Sequence, residues 1–211
     1  MTPEALNQFW WLALVAYLLG SLPFGYLIGR FAGHRDIRYE GSGNIGATNV
    51  ARTLGARAGL LTLLLDAGKG FFAVWLAARF THHATIWMVI AAVVAVLGHV
   101  YPLWLGGKGG RGVATAAGAF LLICWPAVLV AITIWIVVLA TWRYVSLASI
   151  AAAAALPLLT YLLYAREFAP PRAISIGTTL ASLLVIWRHR ENLARLADGS
   201  EKRFRFGRGG E

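Results

Sequence analysis

The 211 residues are 59% hydrophobic and only 13% charged, with a mean hydropathy of +0.66. That excludes an ordinary water-soluble domain and points to an all-α polytopic membrane protein, a single domain over residues 1–211. The net charge of +10 would suggest nucleic acid in a soluble chain; here its placement reports topology and anionic lipid headgroups, and no nucleic-acid partner is expected.

No Lys or Arg precedes Arg30, so the basic leader region of a secretory signal is missing and the first apolar segment is expected to stay. A helix crossing about 30 Å of hydrocarbon needs about 20 residues. Phe9 to Gly29 supplies that, interrupted by Ser21 and Pro23. The polar stretch Glu40 to Gly55, EGSGNIGATNVARTLG, follows. Its glycines permit positive φ, and successive free amides can form a concave nest for an anion. Ser42, Asn44, Thr48 and Asn49 add neutral donors, and Arg52 adds a planar charged fork suited to phosphate. Its G-x-G-x-x-G match is discounted, because a dinucleotide fingerprint needs a preceding strand in a soluble βαβ unit. The plain alternative is a polar loop joining two spans.

Gly59 to Phe80 reads as the next span and carries Asp66 and Lys69 on one face. Charges at that depth must pair or face a polar interior, so a structural ion pair is expected ahead of a substrate role. Ala84 to Leu105 follows, with His99 as a buried packing histidine, while His34, His82 and His83 read as interface residues. Next, Lys108 and Arg111 sit among glycines just before a helix start, where free N–H groups and the positive dipole end favour an anion; an inner-side basic anchor is the plain reading.

Val113 to Trp142 then runs 30 residues without charge. As one helix it would be about 45 Å long, too long to cross without steep tilt, and Trp125-Pro126 suits a tight turn between two short spans. Leu147 to Ala165 and Ile174 to Trp187 complete the apolar segments. Seven spans, some short or broken, with the N-terminus outside and the C-terminus cytoplasmic, put fifteen basic residues inside against Arg79, Arg166 and Arg172 outside. Six spans would export Arg143 and the basic tail, against the positive-inside rule. The seven-span order gathers the Gly41 loop, the Gly106 loop, the Tyr144–Ser146 turn and the His189 tail on the cytoplasmic face. In that tail His189 and Asn192 stand one helical turn apart. His189 could act as a base, a proton donor or a phosphate donor, although a solvated basic flank is the plain alternative. Residues 203–211 are expected to form a flexible basic end.

No Cys/His cluster has metal-ligand spacing, no G-x-S-x-G elbow occurs, and no His is followed five positions on by Asp. The inner face thus offers anion sites without a nucleophile, and no carboxylate stands out as a base. No metal or cofactor is expected. Broken spans and intramembrane charge also fit a transporter for phosphorylated metabolites, but the polar motifs gather on one face and no halves repeat.

Four segments, GSLPFGYLIGR running into DIRYEGSGNIGATNVARTLG, GHVYPLWLGGKGGRGVAT, YVSLAS and RHRENLARLADGSEK, resemble the bacterial membrane glycerol-3-phosphate acyltransferases that use acyl-phosphate. The resemblance implies a multi-pass enzyme of the bacterial inner membrane with a cytoplasm-facing site. It would transfer a fatty acyl group from acyl-phosphate to the sn-1 hydroxyl of glycerol 3-phosphate, giving lysophosphatidate and phosphate. Carried over by motif, Ser42, Gly43, Asn44, Thr48, Asn49 and Arg52 would hold phosphate. Lys108 and Arg111 would add charge, Ser146 a hydroxyl, and His189 and Asn192 would close the site. The chain departs from the pattern at Gly107, where an aromatic is expected, and at Arg111, where lysine is expected.

Overall fold

The computed structural model describes residues 8–164 and 172–204, and it is all-helical over them, with no strand. Arg166, the end of the span at Ala165 and the last seven residues of the basic tail lie outside the described residues. The helices are α1 (Trp10–Gly20), α2 (Phe24–Phe31), α3 (Ala47–Leu54), α4 (Ala56–Phe80), α5 (Thr85–Val100), α6 (Val113–Trp142), α7 (Val145–Tyr164), α8 (Arg172–Arg188) and α9 (Arg190–Ala197). Five candidate spans emerge by length and composition, α1 and α2 counting together over Trp10–Phe31.

The break between α1 and α2 falls where Ser21 and Pro23 place it. Proline has no N–H to continue the ladder, and Lys69 Nζ donates to the Leu22 carbonyl inside the break (2.7 Å). Small residues set the helix packing. Gly20 leaves no room for a side chain against the Ala95 backbone, nor does Gly98 against the Tyr17 carbonyl, so α1 and α5 touch main chain to main chain. Phe9 packs edge-on against Trp87 (centroids 6.1 Å apart) and Tyr17 Oη donates to the Tyr101 carbonyl (2.8 Å), so these two helices run parallel. Gly70 and Gly118 do the same for α4 and α6, each facing a backbone oxygen of the other helix.

The long apolar segment is helical at both ends but breaks at Cys124 (φ −144°, ψ 55°), one residue ahead of the expected Trp125-Pro126 turn. Its first arm rises along α8, with Gly112 beside Val185 and Phe120 beside Gly177. Its second arm descends along α7, with Cys124 against Thr160 and Trp135 Nε1 bonded to Ser149 Oγ (3.1 Å). Both ends come home together, since Arg111 and Val145 line one cavity. A straight 30-residue helix would hold them about 45 Å apart. The chain therefore reverses at Cys124, and the arms are about 16 and 27 Å long at 1.5 Å per residue. The core between the helices is alanine-, valine- and leucine-rich around Phe120, which is fully buried.

Candidate active site

Two cavities share a wall at the end of the bundle where α3, α9 and both ends of α6 meet. The larger, about 490 Å³, carries Ser42, Asn44, Thr48, Arg52, Arg111 and His189 at its polar end. Away from that end it is lined by Val128, Ala131, Ala152, Ala153 and Leu156. Its flank includes Leu63, Leu64, Ile132 and Ile136, all exposed on the apolar surface. The smaller, about 230 Å³, is polar and includes Ser146, Asn192, Arg195 and Glu201. Ser42, Thr48, Arg52 and Arg111 border both.

The first loop is tied down by Asn49, which is buried. Its Nδ2 donates to the carbonyls of Ile37 (3.1 Å) and Glu40 (3.0 Å), and its Oδ1 accepts from Ser42 N (2.8 Å). Gly43 N goes to the Glu40 carbonyl and Gly46 N to Asn44 Oδ1 (2.7 Å). The amides of Ser42, Gly43 and Gly46 are thus engaged, which narrows the expected glycine nest, and Gly41 (φ 62°) and Gly43 (φ 69°) turn the chain. The amides left without a partner among the described residues are those of Gly41, Asn44 and Ile45 in the loop and of Ala47 and Thr48 at the start of α3.

The second loop behaves alike. Gly106 to Gly110 all give their N–H groups to backbone carbonyls between Leu103 and Leu105 or at His99, Val100 and Pro102. Gly109 and Gly110 press against the His99 backbone and ring so closely that a side chain would collide. Arg188 holds this passage from α8, with Nη2 on the Gly109 carbonyl (3.3 Å) and Nε on that of Gly110 (3.4 Å). What reaches the cavity is Arg111 and the first turn of α6. Two helix N-termini, those of α3 and α6, thus open onto one space, each with its positive dipole end and unbonded amides.

Arg52 and Arg111 add full charges. Neither has a carboxylate within ion-pair distance among the described residues; Arg52 Nη2 only touches the Lys202 carbonyl at 3.5 Å. Burial pulls the Arg111 pKa down to about 10, with Arg195 and Arg188 adding to the effect against Glu201, yet the group stays cationic at neutral pH. Burial likewise lowers that of Arg52. These are cations prepared for an anion the protein does not supply.

His189 is buried, and desolvation depresses its pKa to about 4, so it is neutral at pH 7. Its Nδ1 lies 2.7 Å from the Val185 carbonyl. A carbonyl can only accept, so Nδ1 carries the proton and Nε2 keeps its lone pair. Ser146 and Asn192 are drawn together by Glu201, which sequence reasoning missed. Glu201 Oε1 accepts from Ser146 Oγ and Asn192 Nδ2 (2.6 Å each), and Oε2 accepts from Arg195 Nε (2.8 Å). Burial works against its ionised form, but those three bonds outweigh it and leave the pKa below the usual glutamate value. The expectation that no carboxylate stands in the site is thereby corrected; the turn residues Asp198-Gly199-Ser200 were the available signal that the chain folds back.

Not every candidate gathers here. Lys108 and Gly43 are exposed and border neither cavity. Asp66 and Lys69 pair at 2.8 Å, with His99 Nδ1 3.5 Å from the same carboxylate oxygen, all three buried. Lys69 also faces the α1–α2 break, whereas Asp66 and His99 touch the larger cavity. Among the described residues no group of three His, Cys, Asp or Glu side chains could hold a metal ion.

The sequence profile of the glycerol-3-phosphate acyltransferases matches residues 10–199. The glycerol-3-phosphate acyltransferase of Geobacter sulfurreducens is 48% identical over 195 residues, 92% of this chain and 96% of its own. That of Syntrophotalea carbinolica is 45% identical over 95% of this chain and 100% of its own. Among solved structures, PlsY (YgiH), an integral membrane glycerol 3-phosphate acyltransferase, is 38% identical and superposes with a TM-score of 0.86 in its glycerol 3-phosphate form and 0.85 in its lysophosphatidic acid form, covering 96% of each chain.

Proposed function

Because the chain belongs to the glycerol-3-phosphate acyltransferase family, we propose that it moves a fatty acyl group from acyl-phosphate to the sn-1 hydroxyl of glycerol 3-phosphate, releasing lysophosphatidate and inorganic phosphate. The observation that carries this reading is the pair of cavities meeting at Arg52 and Arg111. One is long and apolar, suited to a fatty chain bearing a phosphate at its polar end. The other is small and polar, suited to a short hydroxylated phosphate. The shared arginines and the amides of Ala47, Thr48 and the α6 start would offset repulsion between the two phosphates. The exposed flank along Leu64 and Ile136 would admit the chain sideways from the bilayer.

The enzyme would cross the bacterial inner membrane seven times, N-terminus outside, with the site facing the cytoplasm. The reversal at Cys124 supports that count, and the parallel run of α1 and α5 supports placing Phe9 at the end remote from the site.

In the reaction, the sn-1 oxygen attacks the acyl carbonyl, its proton passes to a substrate phosphate oxygen, and the bond from carbonyl carbon to phosphate oxygen breaks. No covalent enzyme intermediate is needed, because phosphate is a good leaving group. Holding both substrates in line can contribute about 7–11 kcal/mol, and Arg111 with the α6 amides can add about 3–4 kcal/mol at the developing oxyanion. Proton affinities decide the acceptor. A phosphate monoester has a second pKa of about 6, whereas His189 sits at about 4, so phosphate is the stronger base and His189 Nε2 orients the hydroxyl.

The test adds acyl-phosphate and glycerol 3-phosphate to the detergent-purified protein and follows phosphate and lysophosphatidate. Equimolar release of the two is expected, and a membrane transporter would release neither. If His189→Ala binds both substrates normally yet loses activity together with one limb of its pH profile, histidine is the base and the phosphate-assisted route fails.

A further inference from the structure

The smaller cavity is assembled on Glu201. Gly199 (φ 76°) turns the chain after α9, Ser200 N donates to Asp198 Oδ1 (2.9 Å), and Glu201 N donates back to the Arg195 carbonyl (3.0 Å). The carboxylate then collects three donors from two helices, Ser146 at the start of α7 and Asn192 and Arg195 on α9. An ionised carboxylate can only accept. The Ser146 hydrogen and one hydrogen of the Asn192 NH2 are therefore committed to it, which fixes the amide with its Oδ1 turned away and leaves an acceptor oxygen on each side chain. Asn192 Oδ1 is buried and has no partner among the described residues. A buried acceptor in that condition is costly unless something donates to it. Arg52 and Arg111 supply cationic donors across the same cavity.

Resting on the reading of this cavity as the acceptor-substrate site, we propose that Glu201 is a positioning residue that sets the hydrogen-bond polarity of the pocket. By taking the Ser146 hydrogen and fixing the orientation of the Asn192 amide, it presents an oxygen of each as an acceptor for the hydroxyl hydrogens of a short polyol phosphate. The phosphate, repelled by those lone pairs, goes to Arg52 and Arg111. One end of the pocket thus reads hydroxyls and the other reads phosphate, which fixes the direction in which glycerol 3-phosphate lies. An inorganic phosphate satisfies only one end.

Glu201→Gln keeps the shape but lets position 201 donate as well as accept, so the Asn192 amide is free to flip. Removing one such bond to a charged group changes affinity by about 10- to 100-fold. The KM for glycerol 3-phosphate should rise by about that factor, with KM for acyl-phosphate unchanged. Titration calorimetry of the same variant should show the preference for glycerol 3-phosphate over inorganic phosphate collapsing, and little loss against 3-hydroxypropyl phosphate, which lacks the middle hydroxyl. The double variant Glu201→Gln/Asn192→Asp restores a carboxylate–amide pair with roles exchanged, and should recover most of the lost affinity. If Glu201→Gln fails to fold, Ser146→Ala must show the same selective loss. An equal rise in both KM values, an unchanged discrimination in calorimetry, or a double variant no better than the single one overturns the proposal. Wild-type protein that bound glycerol 3-phosphate selectively but transferred no acyl group would instead overturn the assigned reaction and leave the polarity argument standing.

Discussion

His189→Gln isolates the effect of burying an imidazole. The native pKa is about 4, against about 6.5 in an unfolded chain. Between those values the unfolded chain holds a proton that the native protein does not, so stability falls as pH falls through this window. Below about pH 4 both states are protonated and the loss is complete at about 3 kcal/mol; at pH 5 it amounts to about 2 kcal/mol. For a chain of this size that is a shift in melting temperature of about 4–8 °C. Melting would be followed in detergent at pH 8 and pH 5 for both proteins. Subtracting the two pH dependences cancels the remaining carboxylates, whose titration begins lower. Wild type should lose those extra degrees at pH 5. Parallel curves would refute a neutral, desolvated His189, and with it the comparison of proton affinities that gives the proton to phosphate.

Arg111→Ala should cut kcat/KM by about 100- to 1000-fold, the loss of one oxyanion-stabilising donor, while leaving the melting temperature unchanged or higher, because the guanidinium has no carboxylate to leave behind; Arg111→Lys should keep much of the rate. Asp66→Asn should destabilise by about 3–5 kcal/mol by stranding Lys69, and Asp66→Asn/Lys69→Met should be closer to wild type in the same melting assay. Gly118→Ala, whose methyl would strike the Ala67 carbonyl, should lower the melting temperature sharply, whereas Gly68→Ala, which meets nothing within 4 Å, should be neutral or gain up to about 1 kcal/mol.

Residue chemistry was readable wherever one stretch of chain carries the meaning. Apolar length marked the long helices, Pro23 the break, and the Asp66–Lys69 spacing the buried pair. Arg52 and Arg111 stand out because free cations beside glycine-rich turns have few uses other than anions. Main-chain bonding was not readable: the glycines of both loops look like nests until one sees that nearby carbonyls and the Asn44 side chain already occupy most of their amides. Glu201 was hidden for a different reason. Its partners lie 55, 9 and 6 residues away, and only the return of the tail against α7 brings Ser146 within reach. The protonation of His189 depends on burial, which no local pattern encodes.

The short first arm of α6 has a chemical result of its own. Because Thr115, in the first turn of α6, packs against Gly70 of α4, the positive end of α6 lies roughly 20 Å along α4 from the Ala56 end. An activated acyl donor is vulnerable to hydrolysis at every encounter with bulk solvent. In the proposed reaction, an electrophile recessed below the headgroups, under a ceiling of α3 and the folded-back tail, would meet little water where its carbonyl is exposed. On that reading the half-length helix would protect the fatty acid from being wasted before the alcohol arrives.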